Sequence, residues 1–142
     1  MFKDILLPID LGEDPLPEKA LATAVALARN DGARLHLLAV VPGYSMSIIS
    51  QYFPENFEEK ALAETSARLH AVIDQEIPDD VTAQAIVANG SAYEEILATA
   101  EKIGCDLIVM ASHRPGLEAY LLGPNTAKVV RHAKCSVFVV RD

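Results

Sequence analysis

The sequence predicts an α/β fold: a single doubly wound domain over residues 1–142, with a five-stranded parallel sheet of order 3-2-1-4-5 and helices on both faces. Three observations carry this. Short apolar runs closed by loop residues alternate with segments of helical spacing, so the order reads β-α-β-α-β-α-β-α-β. Most of the runs are continuously apolar, as strands buried on both faces require. The third run alternates instead, which makes it a half-buried edge strand and puts the start of the chain inside the sheet.

Ile5-Leu6-Leu7-Pro8-Ile9 is the first strand, closed by Asp10, Gly12 and Asp14. From Pro17 onward, Ala20, Leu21, Ala24, Leu27 and Ala28 recur at helical spacing while Glu18, Lys19 and Arg29 fall elsewhere, and Asn30-Asp31-Gly32 stops the helix. Leu35 to Val41 is the second strand, and Leu62, Leu69, Val72 and Ile73 mark a second helix that ends before Pro78. Val81, Ala83, Ala85 and Val87 alternate with Thr82 and Gln84 to give the third strand. Ser91-Ala92-Tyr93-Glu94 has the form of a capping box and opens a helix carrying Ile96, Leu97, Ala100 and Ile103. Asp106 to Ala111 is the fourth strand, Thr126 to Ala133 a short helix presenting Val129, Val130 and Ala133, and Ser136 to Val140 the fifth strand.

The chain has 142 residues, 51% of them hydrophobic, enough for one ordinary core. Its 20 acidic residues against 12 basic ones, a net charge of −8, exclude a protein whose affinity comes from neutralising many phosphates of a nucleic acid. No apolar run approaches the length of a membrane span, and no apolar stretch with a small-residue cleavage site opens the chain. The expectation is a cytoplasmic protein with neither nucleic-acid nor membrane partners. Cys105 and Cys135 each adjoin an apolar run and have no Cys or His at metal-ligand spacing, so they read as core residues, with a reactive or metal-binding role as the alternative. His36, His70 and His132 read as structural, the last because a helix C-terminus suits a partly positive imidazole.

Residues 42 to 56 make a long connection holding Tyr44, Met46, Ile48, Ile49, Tyr52 and Phe53. Connections of this length are usually functional or ordered by a partner. These apolar residues either pack on the domain or a second subunit, or form a lid over a ligand.

In an open α/β sheet a ligand sits beyond the carboxyl ends of the strands where the winding direction switches, here between the first and fourth strands. Ile9-Asp10, Val40-Val41, the segment from Met110 through Ser112, His113 and Arg114 to Gly116, and Gly123-Pro124-Asn125-Thr126 at a helix start converge there. A helix N-terminus offers unpaired N–H groups and the positive end of a dipole, so the backbone of Gly123, Asn125 and Thr126 suits a phosphate, with the Ser112 and Thr126 hydroxyls and the Arg114 guanidinium beside it. Pro124 has no N–H but fits the first helical position. Two residues keep two readings each. His113 is a surface histidine or a base, and no carboxylate or nucleophile accompanies it; Asp10 is a turn residue or a group near the base and ribose of a nucleotide.

With these residues assembled, the chain resembles the universal stress protein family over essentially its whole length. The markers are Ile5-Leu6-Leu7-Pro8-Ile9-Asp10, Gly90-Ser91, Asp106-Leu107-Ile108-Val109-Met110, and the run from Val130-Arg131-His132-Ala133-Lys134-Cys135 to Val140. The resemblance implies an adenine nucleotide α-hydrolase-like fold with ATP, accompanied by Mg2+, as the ligand. Adenine contacts then fall on Ile9, Asp10, Val40 and Met110, and phosphate contacts on Ser112, His113, Arg114, Gly123, Pro124, Asn125 and Thr126. ATP-binding members carry Gly-x2-Gly-x9-Gly-Ser/Thr after the fourth strand. Here Ala111 and Arg114 stand at the first two glycines, the spacer to Gly123 is one residue shorter, and Pro124 takes the Ser/Thr position. The loop is similar to that of a bacterial subgroup, UspF-like, in which the shortened form is normal and ATP binding is known.

The function expected is therefore an adenine-nucleotide-binding stress-response or signalling module, with slow ATP hydrolysis as the most chemistry allowed. The alternative is a nucleotide-independent adaptor acting through the Tyr44 to Phe53 stretch. Absence of Gly-x-Gly-x-x-Gly after the first strand counts against flavin and dinucleotide enzymes. The apolar fifth strand lies at an edge and is expected to pair with its counterpart in a homodimer, as is common in the family.

Overall fold

The computed structural model describes residues 1–12, 15–42, 57–112 and 123–141. His113, Arg114 and the Tyr44 to Phe53 stretch lie outside the described residues.

Five strands, β1 (Asp4–Pro8), β2 (Arg34–Pro42), β3 (Ala83–Gly90), β4 (Leu107–Ala111) and β5 (Ser136–Val140), form one sheet of order β3-β2-β1-β4-β5. Every pairing is parallel. The intervening helices are α1 (Glu18–Asp31), α2 (Phe57–Glu76), α3 (Ala92–Ile103) and α4 (Pro124–His132). Order and edge placement are those expected from the alternating third strand.

Because successive strand side chains point to opposite faces, the sheet divides its apolar residues between two cores. Ile5, Leu7, Leu35, Leu37, Leu107 and Val109 face α1 and α2, where Leu21, Ala24, Val25, Leu69 and Val72 meet them. Leu6, Leu38, Ile108 and Met110 face α3 and α4 and meet Ile96, Ala100 and Val129. Right-handed crossovers put the helices on one face while the chain winds from β1 outward to β3, and on the other once it returns to β4. The reversal leaves a crevice between β1 and β4.

Local chemistry sets the ends. Gly32 closes α1 in the left-handed region at φ 64°, where a side chain is strained. Gly90, at φ 150°, leaves β3 so close to α3 that a Cβ would stand 2.7 Å from the Glu95 carboxylate. Asp106 anchors the start of β4 by accepting from the backbone N–H groups of Lys3 and Asp4.

One expectation needs correcting. Ser91 does occupy the N-cap of α3, but its hydroxyl makes no capping hydrogen bond, so the Ser91-to-Glu94 pattern marks the helix start without forming the reciprocal box. His70 is exposed: next to fully buried Leu69, it is turned outward by the helical step, and its Nδ1 meets the Ser66 carbonyl at 2.8 Å. His36 is structural, as expected. Its buried ring meets Asp4 Oδ1 through Nε2 at 2.9 Å and the Gln84 amide through Nδ1.

Candidate functional site

The crevice at the carboxyl ends of the strands encloses about 490 Å³, inside the range of roughly 300–1,000 Å³ usual for small-molecule sites. Its apolar wall comes from Ile9 after β1, Leu38 and Val40 of β2, Met110 of β4 and Ile96 of α3. Its polar groups are Asp10, Ser112, Asn125 and, from α2, Thr65 and Arg68.

Of the predicted residues, Ile9, Asp10, Val40, Met110, Ser112, Gly123, Asn125 and Thr126 all line this one space. Pro124 sits at the first position of α4, exposed and outside the lining. Gly123 is the N-cap, in extended conformation, so the N–H groups of Asn125 and Thr126 begin the helix with no intrahelical acceptor. No acidic residue lies in this first turn, and the dipole there meets no opposing charge from its own helix.

Two hydroxyls expected to face a phosphate are differently engaged. Thr126 is buried and donates to the Ala111 carbonyl at 3.2 Å, tying the helix start to the end of β4. Ser112 donates its hydroxyl to the Val140 carbonyl at 3.4 Å, the same carbonyl that takes its backbone N–H at 3.0 Å and continues the pairing with β5. Asp10 shows the turn reading directly, since its Oδ1 accepts from the Gly12 N–H at 2.9 Å. Its carboxylate still lines the crevice, where it can accept from a hydroxyl or an amine.

Arg68 is the residue that sequence reasoning missed. Its Nη2 donates to the Leu11 carbonyl at 2.6 Å across 57 positions of chain. The only local signal was its helical spacing from Thr65 and its place next to Leu69 on a core-facing helix.

The model of the universal stress protein family matches residues 1–141. The chain belongs to that family. Universal stress protein G of Escherichia coli O157:H7 is 35% identical over 143 aligned positions, covering 99% of this chain and 100% of that protein. Among solved structures, hypothetical protein MJ0577 superposes with a TM-score of 0.80 at 30% identity, covering 100% of this chain and 97% of its own. The universal stress protein from Archaeoglobus fulgidus in complex with dAMP shares the fold, with a TM-score of 0.67 at 17% identity over 98% of each chain. Among the described residues of this universal stress protein, no helix is long and apolar enough to cross a membrane, and no group of three or more His, Cys, Asp or Glu side chains is placed to hold a metal ion.

Proposed function

We propose that this universal stress protein binds ATP or a related adenine nucleotide and acts as a dimeric stress-response module in the cytoplasm. The observation that carries the reading is the join of two unlike surfaces in one crevice. Apolar walls from Ile9, Val40 and Met110 suit a purine ring, and the free N–H groups at the start of α4 suit its phosphates. The Asp10 carboxylate at the rim is an acceptor for ribose hydroxyls or an exocyclic amine, and Arg68 adds a cation. With no acidic cluster among the described residues, magnesium would arrive on the phosphates themselves. The fold holds a nucleotide in the Archaeoglobus protein solved with dAMP; for this chain the case rests on its own lining residues.

Dimerisation through β5 is supported by where the exposed apolar side chains lie. Apart from Met1, the large hydrophobics left exposed among the described residues are Phe138, on β5, and Val130, on α4, at 46% and 45%. Phe138 lies on the β5 edge of the sheet, where an unpaired strand presents backbone donors and acceptors.

The deciding experiment is to denature freshly purified protein and identify the released nucleotide by chromatography and mass spectrometry, followed by calorimetric titration with ATP and magnesium. Near-stoichiometric adenine nucleotide, or saturable heat at one site per chain, is expected. Absence of both abandons nucleotide binding and leaves the adaptor.

A further inference from the structure

A second cavity, of about 210 Å³, opens between α3 and α4 at the opposite end of the sheet from the crevice, lined by Leu97, Gly104, His132, Lys134 and both cysteines. There the Cys105 and Cys135 sulfurs stand 3.9 Å apart, although 30 positions separate them in the chain. Both are free thiols, Cys105 buried and Cys135 half-buried. We propose that they form a redox site, in which a hydroperoxide converts the pair reversibly to an intramolecular disulfide; the proposal stands independently of nucleotide binding.

Cys105 and Cys135 lie just before β4 and β5, which pair in parallel from Leu107 opposite Ser136 onward, so the two segments enter the sheet side by side. The cavity gives the sulfurs room to turn toward each other and is several times the ~30 Å³ of a water molecule, so a small hydroperoxide reaches them.

The two thiols have different tasks. Burial, with Cys135 next to it, pushes the Cys105 thiol up to about 12, so it keeps its proton and does not react first. Cys135, the more exposed, attacks the peroxide oxygen through its sulfur. The O–O bond breaks, the sulfur becomes a sulfenic acid, and the departing hydroxide takes the thiol proton to leave as water. The Cys105 sulfur then displaces hydroxide from the sulfenic acid, giving up its own proton to form a second water and closing the S–S bond. Two thiols and one hydrogen peroxide thus give one disulfide and two waters. The bond would staple the segment that contains β4 and α4.

The test treats reduced, full-length protein with a slight excess of hydrogen peroxide under native conditions, followed by intact mass, non-reducing peptide mapping and a thermal scan. Expected are a loss of about 2 Da, one peptide pair joining Cys105 to Cys135, and a thermal midpoint raised by about 5–10 °C, all reversed by dithiothreitol. Cys105→Ala is expected to stop at a sulfenic acid on Cys135, captured by a cyclic 1,3-dione, and Cys135→Ala to leave Cys105 unreacted over the same time. Two free thiols surviving in the wild type, crosslinks only between chains, or oxidation straight to sulfinic acid would each overturn the proposal.

Discussion

Arg68 of α2 reaches over the end of β1 and donates to the Leu11 carbonyl at 2.6 Å, fastening the turn that carries Asp10 to a helix 57 positions away. If the crevice is a nucleotide site, this contact holds one wall in place before the ligand arrives. Arg68→Ala is expected to weaken ATP about three- to tenfold, the scale of one charge-assisted hydrogen bond lost from a pre-organised wall. Arg68→Lys should recover part of the loss. Calorimetric titration of the three proteins checks this, and equal affinities would show the latch to be idle.

The start of α4 permits a sharper separation of stability from binding. Asn125→Asp is isosteric and puts a carboxylate in the first turn, where the dipole favours it by roughly 0.3–1 kcal/mol. The same charge repels a phosphate. Thermal stability is therefore expected to hold or rise slightly while ATP affinity falls more than tenfold and adenosine affinity changes little. Parallel titrations with ATP and adenosine make the comparison; equal losses for both ligands would move the phosphates away from this helix.

Sequence reading reached the sheet because its signals are local. Runs such as Ile5 to Ile9, bounded by Asp10 and Gly12, and the alternation from Val81 to Val87 each contain their own periodicity, and the strand order follows from burial and handedness. The crevice was legible for the same reason: strand ends and a helix start converge once the winding is known. What escaped was set by distances between elements. Arg68 meets Leu11, and Cys105 meets Cys135, through packing that neither segment encodes alone. The Ser91 cap escaped on a finer scale, since residue type marks a helix terminus without fixing a hydroxyl's partner.

Asp4 gives the structure a dependence on pH. Burial works to raise its carboxyl, but hydrogen bonds and charge from His36 and Arg34 outweigh that and hold it below the usual carboxylate range. A folded-state value lower than the unfolded ~3.9 contributes stability that is present above about pH 5 and is lost as pH falls through the folded value. Asp4→Asn is expected to lower the thermal midpoint by about 3–6 °C at pH 7 and to flatten the decline between about pH 5 and 2. Scans of both proteins over that interval test it, and parallel curves would assign the acid sensitivity to other carboxylates.

The last prediction concerns β5. Phe138 is 46% exposed on this edge strand, and its neighbours Val137 and Val139 are themselves only partly covered. A solvent-facing edge of this kind recruits another strand, and an identical copy related by a two-fold axis supplies the matching hydrogen bonds and apolar side chains. Light scattering at micromolar concentration is expected to give twice the chain mass for the wild type. Phe138→Glu puts two like charges across the same seam, so it should shift the protein to the monomer, while the crevice lining, which does not include Phe138, keeps its affinity. If Phe138→Glu remains a dimer, the subunits meet elsewhere; if the wild type is itself a monomer, the apolar edge is held by some other partner.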